Sequence, residues 1–132
     1  MTHLLDTNVC VAYLRGSSPS LLDAFQIHDS GDLAICATVR SELIYGALRS
    51  KEPVSAEAHV RRFLAPYPSL PFDESMADLS ARIRARLAST GSKIGPYDLQ
   101  IAATALLYKL TLVTHNTREF SRIEGLLIED WE

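Results

Sequence analysis

Short apolar runs of strand type alternate with helical segments along the whole 132-residue chain. This alternation constrains the fold more than any single motif, because parallel strands need crossover connections that are usually helices. "HLLD" is a short strand, followed by a helix from about Asn8 to Arg15. Ser18 before Pro19 reads as an N-cap with proline at the first helical position, so a second helix runs to about His28. After the Gly31-Asp32 turn, "LAICA" is a continuous apolar run of the kind buried on both faces. In "TVRSELIYGALRS", Val39, Leu43 and Ala47 recur at four-residue steps, which is helical spacing. Another helix over about Ser55 to Ala65 leads to Pro66, Pro68 and Pro71, which punctuate a short extended piece. Met76, Leu79, Ile83 and Leu87 then share one helical face, and Gly91 marks the end of that helix. Gly95-Pro96 opens an almost wholly apolar helix in "IGPYDLQIAATALLYKL"; "TLVTH" is the next strand and "LLIEDW" a last short one. The pattern predicts an α/β fold. Residues 1–132 form one domain, with a mostly parallel central sheet of about five short strands flanked by helices.

A chain of this size buries roughly two thirds of its unfolded surface. Its 47% apolar and 22% charged residues are those of a folded globular domain. Neither a transmembrane stretch nor a signal peptide is visible, so a cytoplasmic protein with no membrane contact is expected. Cys10 and Cys36 stand singly in apolar runs and read as buried, reduced thiols. The histidines, His3, His28, His59 and His115, are scattered without ligand spacing and are assigned no metal role. A net charge of −3 speaks against a strongly basic, non-specific nucleic-acid binder. It is compatible with an acidic pocket inside a basic rim.

The acids at element boundaries carry the chemistry. Asp6 ends the first strand, and Glu42 lies in the first turn or so of the helix after the second. Asp98 follows Pro96 at the start of the apolar helix, and Asn116 and Glu119 follow the "TLVT" strand. In a parallel sheet the strand C-termini and the next helix N-termini share one edge. Asp6, Glu42 and the Asn116/Glu119 pair therefore converge, and Asp98 joins them if its helix points the same way. Each acid also has a structural reading. Asp6-Thr7-Asn8 can cap a helix, Asp98 suits the helix dipole, and Asn116-x-x-Glu119 is a capping-box pattern. Capping does not account for Glu42, with Thr38 available as the cap. Nor does it account for the convergence, since two carboxylates about 4 Å apart repel by roughly 4 kcal/mol at an effective dielectric near 20. A hard divalent cation relieves that repulsion through carboxylate oxygens.

Four blocks, "LLDTN", "SELIYGALRS", "IGPYDLQIAATAL" and "LVTHNTREFSRI", together resemble the PIN domain over essentially the whole chain. More narrowly they resemble the VapC toxins of bacterial type II toxin–antitoxin modules. The resemblance implies that Asp6, Glu42 and Asp98 hold Mg²⁺ or Mn²⁺, with Glu119 as an outer acidic ligand. Asn116 stands where many relatives carry Asp, and is a positioning residue. Thr7 and Asn8 support the Asp6 carboxylate. The resemblance further implies that the first and fourth strands lie side by side, with Asp6 at the switch point of the sheet.

The implied activity is metal-dependent endonucleolytic hydrolysis of RNA, with tRNA the expected substrate and inhibition of translation the outcome. The implied partners are a VapB-like antitoxin and a second copy of the chain in a homodimer, or a larger toxin–antitoxin assembly. Arg82 and Arg86, on one helical face, with Arg84 and Lys93 nearby, are candidates for RNA phosphate contacts or an ordinary solvated face. The alternative is a PIN-like protein that binds RNA or a partner without cutting, a reading kept open by Asn116. An aspartyl-phosphate phosphatase needs Asp-x-Asp after the first strand and meets Asn8 instead. A receiver domain needs adjacent acids there and a lysine ending a late strand, whereas Lys109 precedes the strand.

Overall fold

The computed structural model describes residues 1–132. Five strands form one sheet: β1 (His3–Leu5), β2 (Leu33–Cys36), β3 (Ser69–Leu70), β4 (Thr111–Val113) and β5 (Ile128–Glu129). Their order is β3-β2-β1-β4-β5, and every pairing is parallel. The order runs outward from β1 in both directions, so the switch point lies between β1 and β4. Leu4, Leu5, Leu33, Ala34, Ile35, Cys36, Leu112 and Val113 are all buried, which is why these strands read as unbroken apolar runs.

Seven helices connect and flank the strands: α1 (Thr7–Arg15), α2 (Pro19–Ile27), α3 (Ala37–Leu48), α4 (Pro53–Leu64), α5 (Glu74–Ser89), α6 (Pro96–Tyr108) and α7 (Thr117–Phe120). Their starts follow local chemistry. Ser18 Oγ accepts from the Leu21 N–H at 3.3 Å with Pro19 in the first turn, and Asp73 Oδ1 accepts from the Met76 N–H at 3.1 Å. Pro53 and Pro96 open α4 and α6, where their missing N–H costs nothing. α1 stops at Gly16, whose φ of +64° closes the helix in the left-handed conformation. α3 is an exception. It follows β2 directly from Cys36 without a capping side chain. Thr38, the expected cap, instead sits inside the helix and donates its hydroxyl to Gln100 Oε1 of α6 at 2.8 Å.

That bond orients the site. α6 leads into β4, which runs parallel to β1, so α6 must run opposite to the strands. Its N-terminus therefore lies at the edge where the strands end, pinned to the first turn of α3. No helix is long and apolar enough to cross a membrane. The C-terminal segment is clamped: Trp131 stacks on His28 with 4.5 Å between ring centroids, and its Nε1 donates to Glu129 Oε1 at 3.0 Å.

Candidate active site

Asp6 is the hinge of the site. Leu5 pairs with Val113, and the Asp6 N–H donates to the Val113 carbonyl at 3.0 Å, which carries β1 past β4 by one residue. There the Thr114 hydroxyl donates to Asp6 Oδ2 at 2.8 Å. The other oxygen, Oδ1, accepts from the Thr7 N–H at 2.8 Å, so Asp6 is itself the N-cap of α1. The capping reading holds, and the same carboxylate stands at the end of β1 beside β4. Only 3% of Asp6 is exposed. Burial pushes its carboxyl above the ordinary value, the Thr114 and Thr7 bonds pull it partly back, and Glu42 pushes it up again.

Glu42 stands in the second turn of α3, one turn later than its spacing from the strand suggested. Its Oε1 accepts from the Thr7 hydroxyl at 2.6 Å, so Thr7 serves two acids, Asp6 through its backbone and Glu42 through its side chain. Asn8, expected to support Asp6, is exposed on α1 and hydrogen-bonds to none of the acids. Thr114 holds Asp6 in its place. A polar residue following the apolar β4 strand at the position equivalent to Asp6 was the available signal.

Asp98 is half-buried in the first turn of α6 and accepts no hydrogen bond from the protein. Its pKa is pushed up to about 6, by burial first and then by the charges of Asp6, Glu119 and Glu42. A carboxylate placed only to suit the helix dipole would be stabilised in its charged form. Asp98 shows the reverse, because burial first, and then three neighbouring acids, outweigh the helix terminus. Asp98 is thus within electrostatic reach of the other three acids named from the sequence, and Asp6 of Glu42.

Glu119 is set by Asn116. The capping box expected there does not form, since the Asn116 side chain donates Nδ2–H to Glu119 Oε2 at 2.8 Å and caps no backbone N–H. The Asn116 N–H donates to Thr114 Oγ1 at 3.0 Å, which ties this pair to Asp6 through one threonine. Phe120, fully buried, anchors the short α7 beneath them.

The basic residues do not gather as a single group. Arg82 and Arg86 share a groove with Arg122 and Ile123, while Arg84 and Lys93 line a separate recess beside Gly91 and Ser92. Arg86 pairs with Glu124 at 2.8 Å. Two arginines absent from the sequence reading lie closer to the acids: Arg118 and Arg122 line the recess that holds Asn116 and Glu119. Their i, i+4 spacing in "TREFSRI" was the overlooked signal.

His115 lies beyond the acids and pairs with Asp130 at 3.0 Å and Glu132 at 3.3 Å on the exposed surface. Both thiols are buried and free, and burial keeps them protonated. Glu119 pairs with Arg122 at 3.7 Å, while Asp6, Glu42 and Asp98 have no ion-pair partner, and such hard oxygen donors suit a divalent cation. No three of the four acids bring ligand atoms within 4.8 Å of one another, whereas His115, Asp130 and Glu132 do on the exposed surface.

An open parallel α/β sheet with its acids in the crevice at the switch point defines the class of the protein. The PIN-domain family matches residues 3–126, and the chain belongs to that family. It is 38% identical over 128 residues to the tRNA(fMet)-specific endonuclease VapC of Shigella flexneri, covering 97% of this chain and 96% of that protein. It is 32% identical to a Rickettsia felis ribonuclease, VapC2, over 100% of this chain and 99% of the relative. Among solved structures, DNA-bound VapBC from Salmonella typhimurium superposes with a TM-score of 0.94 at 37% identity, covering 100% of this chain and 99% of that one.

Proposed function

We propose that this protein is a metal-dependent endoribonuclease and the toxin of a VapBC-type toxin–antitoxin pair, with residues 1–132 acting as one domain. The observation that carries the chemistry is the convergence of Asp6, Glu42 and Glu119 on Asp98, which burial first and then these three acids push up to about 6. The substrate and partner follow from the relatives, one a tRNA(fMet)-specific endonuclease and others solved as VapBC complexes. A tRNA is the substrate class we favour, with inhibited translation as the consequence. A VapB-like antitoxin is the partner, and a homodimer is the expected form of the toxin. The reduced thiols and an RNA substrate fit the cytoplasm.

Asp6, Glu42 and Asp98 are the residues that would hold Mg²⁺ or Mn²⁺. When bound, such an ion supplies Lewis-acid polarisation of the phosphate and lowers the pKa of a water. Thr7 and Thr114 hold the Asp6 oxygens toward the crevice, and Thr7 does the same for Glu42. Glu119, oriented by the Asn116 amide, adds an outer acceptor for a water or a proton. Arg118 and Arg122, beside Glu119, supply cations for substrate phosphates, and Arg122 continues into the groove of Arg82 and Arg86. Arg84 and Lys93 lie off this path.

The test is cleavage of total bacterial RNA by the partner-free protein with Mg²⁺ or Mn²⁺. Chelator and Asp6→Asn protein serve as controls, and the cut ends are mapped by sequencing. Discrete metal-dependent cuts absent from the variant support the nuclease. RNA binding with no cuts in any condition favours the binding-only alternative.

A further inference from the structure

On the Glu42 side of the acids lies a recess of about 600 Å³ walled by Thr7, Ser41, Glu42, Tyr45 and Tyr97. Both tyrosine rings stand in solvent, Tyr45 60% exposed and Tyr97 57%. The chain ties each ring to one acid. Tyr45 follows Glu42 by three residues on α3, on the same helical side, and Tyr97 directly precedes Asp98 in the first turn of α6. Neither ring takes part in the aromatic packing, which Tyr13, Phe25, Phe63 and Trp131 supply elsewhere. The Tyr45 hydroxyl accepts from Arg49 Nη1 at 2.8 Å, and the Arg49 guanidinium lies 5.8 Å from the ring centroid. Folding gains little from two solvated rings so close to a charged crevice.

We propose that Tyr45 and Tyr97 are stacking platforms for unpaired nucleobases next to the phosphate at the acids, and so select single-stranded RNA. The proposal rests on the ribonuclease reading. Glu42 disfavours a phosphodiester inside this recess and the Arg49 guanidinium beside it is engaged by Tyr45, so the rings are left to contact the uncharged part of a nucleotide. An aromatic ring stacks on any base, because every base has a π-face. Bases in a duplex already stack on each other, whereas bases in loops can be splayed out. The other recess floor residues are polar, Thr7, Ser41 and Glu42, which suits a nucleotide better than the apolar anchor of a protein partner. Arg118 and Arg122, in the separate recess that holds Glu119, offer cations where the phosphates continue.

The experiment titrates full-length protein, in chelator to prevent cutting, into a short single-stranded RNA carrying one fluorescent purine, with the matching duplex in parallel. Stacking quenches the purine. Wild-type protein should quench the single strand and leave the duplex unchanged. Tyr45→Ala and Tyr97→Ala should each weaken binding about ten-fold and lose quenching, while Tyr45→Phe and Tyr97→Phe retain both. Unfolding midpoints equal to wild type would show that the variants fold. Wild-type affinity and quenching in the alanine variants would overturn the proposal while leaving the nuclease intact. So would alanine variants that bind RNA normally yet lose dimerisation or the antitoxin, since the rings would then be a protein interface. Failure of the phenylalanine variants alongside the alanine ones would assign the effect to the hydroxyls and equally reject stacking. A wild-type protein that neither binds this RNA nor cuts any RNA would remove the ribonuclease reading and the proposal together.

Discussion

The Thr114 hydroxyl donates to Asp6 Oδ2 at 2.8 Å across 108 positions of sequence, and joins the end of β4 to the end of β1. Thr114 Oγ1 also accepts the Asn116 N–H, so one fully buried threonine ties Asp6 at the end of β1 to the segment after β4. Thr114→Val leaves the Asp6 carboxylate and the Asn116 N–H each short of a partner. The variant should lose about 2–4 kcal/mol of stability, read as a lower urea midpoint at unchanged slope. Cleavage should fall with it, because Asp6 is then held on one side only.

Asp6→Asn, Glu42→Gln and Asp98→Asn should each abolish cleavage in folded protein, with circular dichroism unchanged. Wild-type rates in any of the three would reject that residue as part of the catalytic set.

The metal-free protein should be less stable near neutral pH than in mild acid. Asp98 is raised from 3.8 to about 6 in the folded state. Its contribution is therefore fully present below the unfolded value and lost as pH rises through about 6. Asp6, also raised, acts in the same direction. For the half-buried Asp98 the loss is on the order of 1 kcal/mol once solvent screening is allowed for. Urea midpoints in chelator at about pH 5 and pH 7 measure it. The difference should shrink in Asp98→Asn and on adding Mn²⁺.

Asn116→Asp replaces a donor to Glu119 with a second carboxylate. Calorimetric titration should show tighter Mn²⁺ binding, and the metal-free variant should melt below wild type. An unchanged titration would show that position 116 does not reach the ion.

Arg122→Ala should weaken RNA binding across sequences alike and flatten its salt dependence, by roughly 0.7 in the log–log slope for one phosphate of a single strand. The same change at Lys93, which lies off the path, should leave the slope intact.

α6 ends on Lys109 in the left-handed conformation with φ +56°, the one non-glycine residue at positive φ. Lys109→Gly should raise stability by about 0.5–1 kcal/mol, the relief of the side-chain clash less the added freedom of the unfolded chain. Thermal unfolding of the two proteins checks it.

The three central strands were legible because burial on both faces demands apolar residues, which Leu4-Leu5, "LAIC" and Leu112-Val113 supply. The helix starts at Pro19 and Pro96 were legible for a local reason, since proline and its cap act within one turn. The acids Asp6, Glu42 and Glu119 could be placed on one edge from strand direction alone. What local pattern could not supply was contact across the sheet. Thr114 looked like an ordinary strand-end residue until register set it against Asp6, and Thr38 like a cap until α6 packed beside it. The four basic residues of "ARIRARLASTGSK" are close in sequence, yet the helix turns them into different grooves, while Arg122, distant in sequence, joins Arg82 and Arg86.

The order of residues alone thus dictated the alternating α/β architecture, the parallel sheet and the identity of the acids, because each depends on periodicity, caps and strand direction. The charge state of Asp98, the shared duty of Thr7 and the side of the crevice taken by Tyr45 and Tyr97 came only with folding. Each depends on distances between segments that meet only once β1 and β4 are paired and α3 and α6 are pinned together.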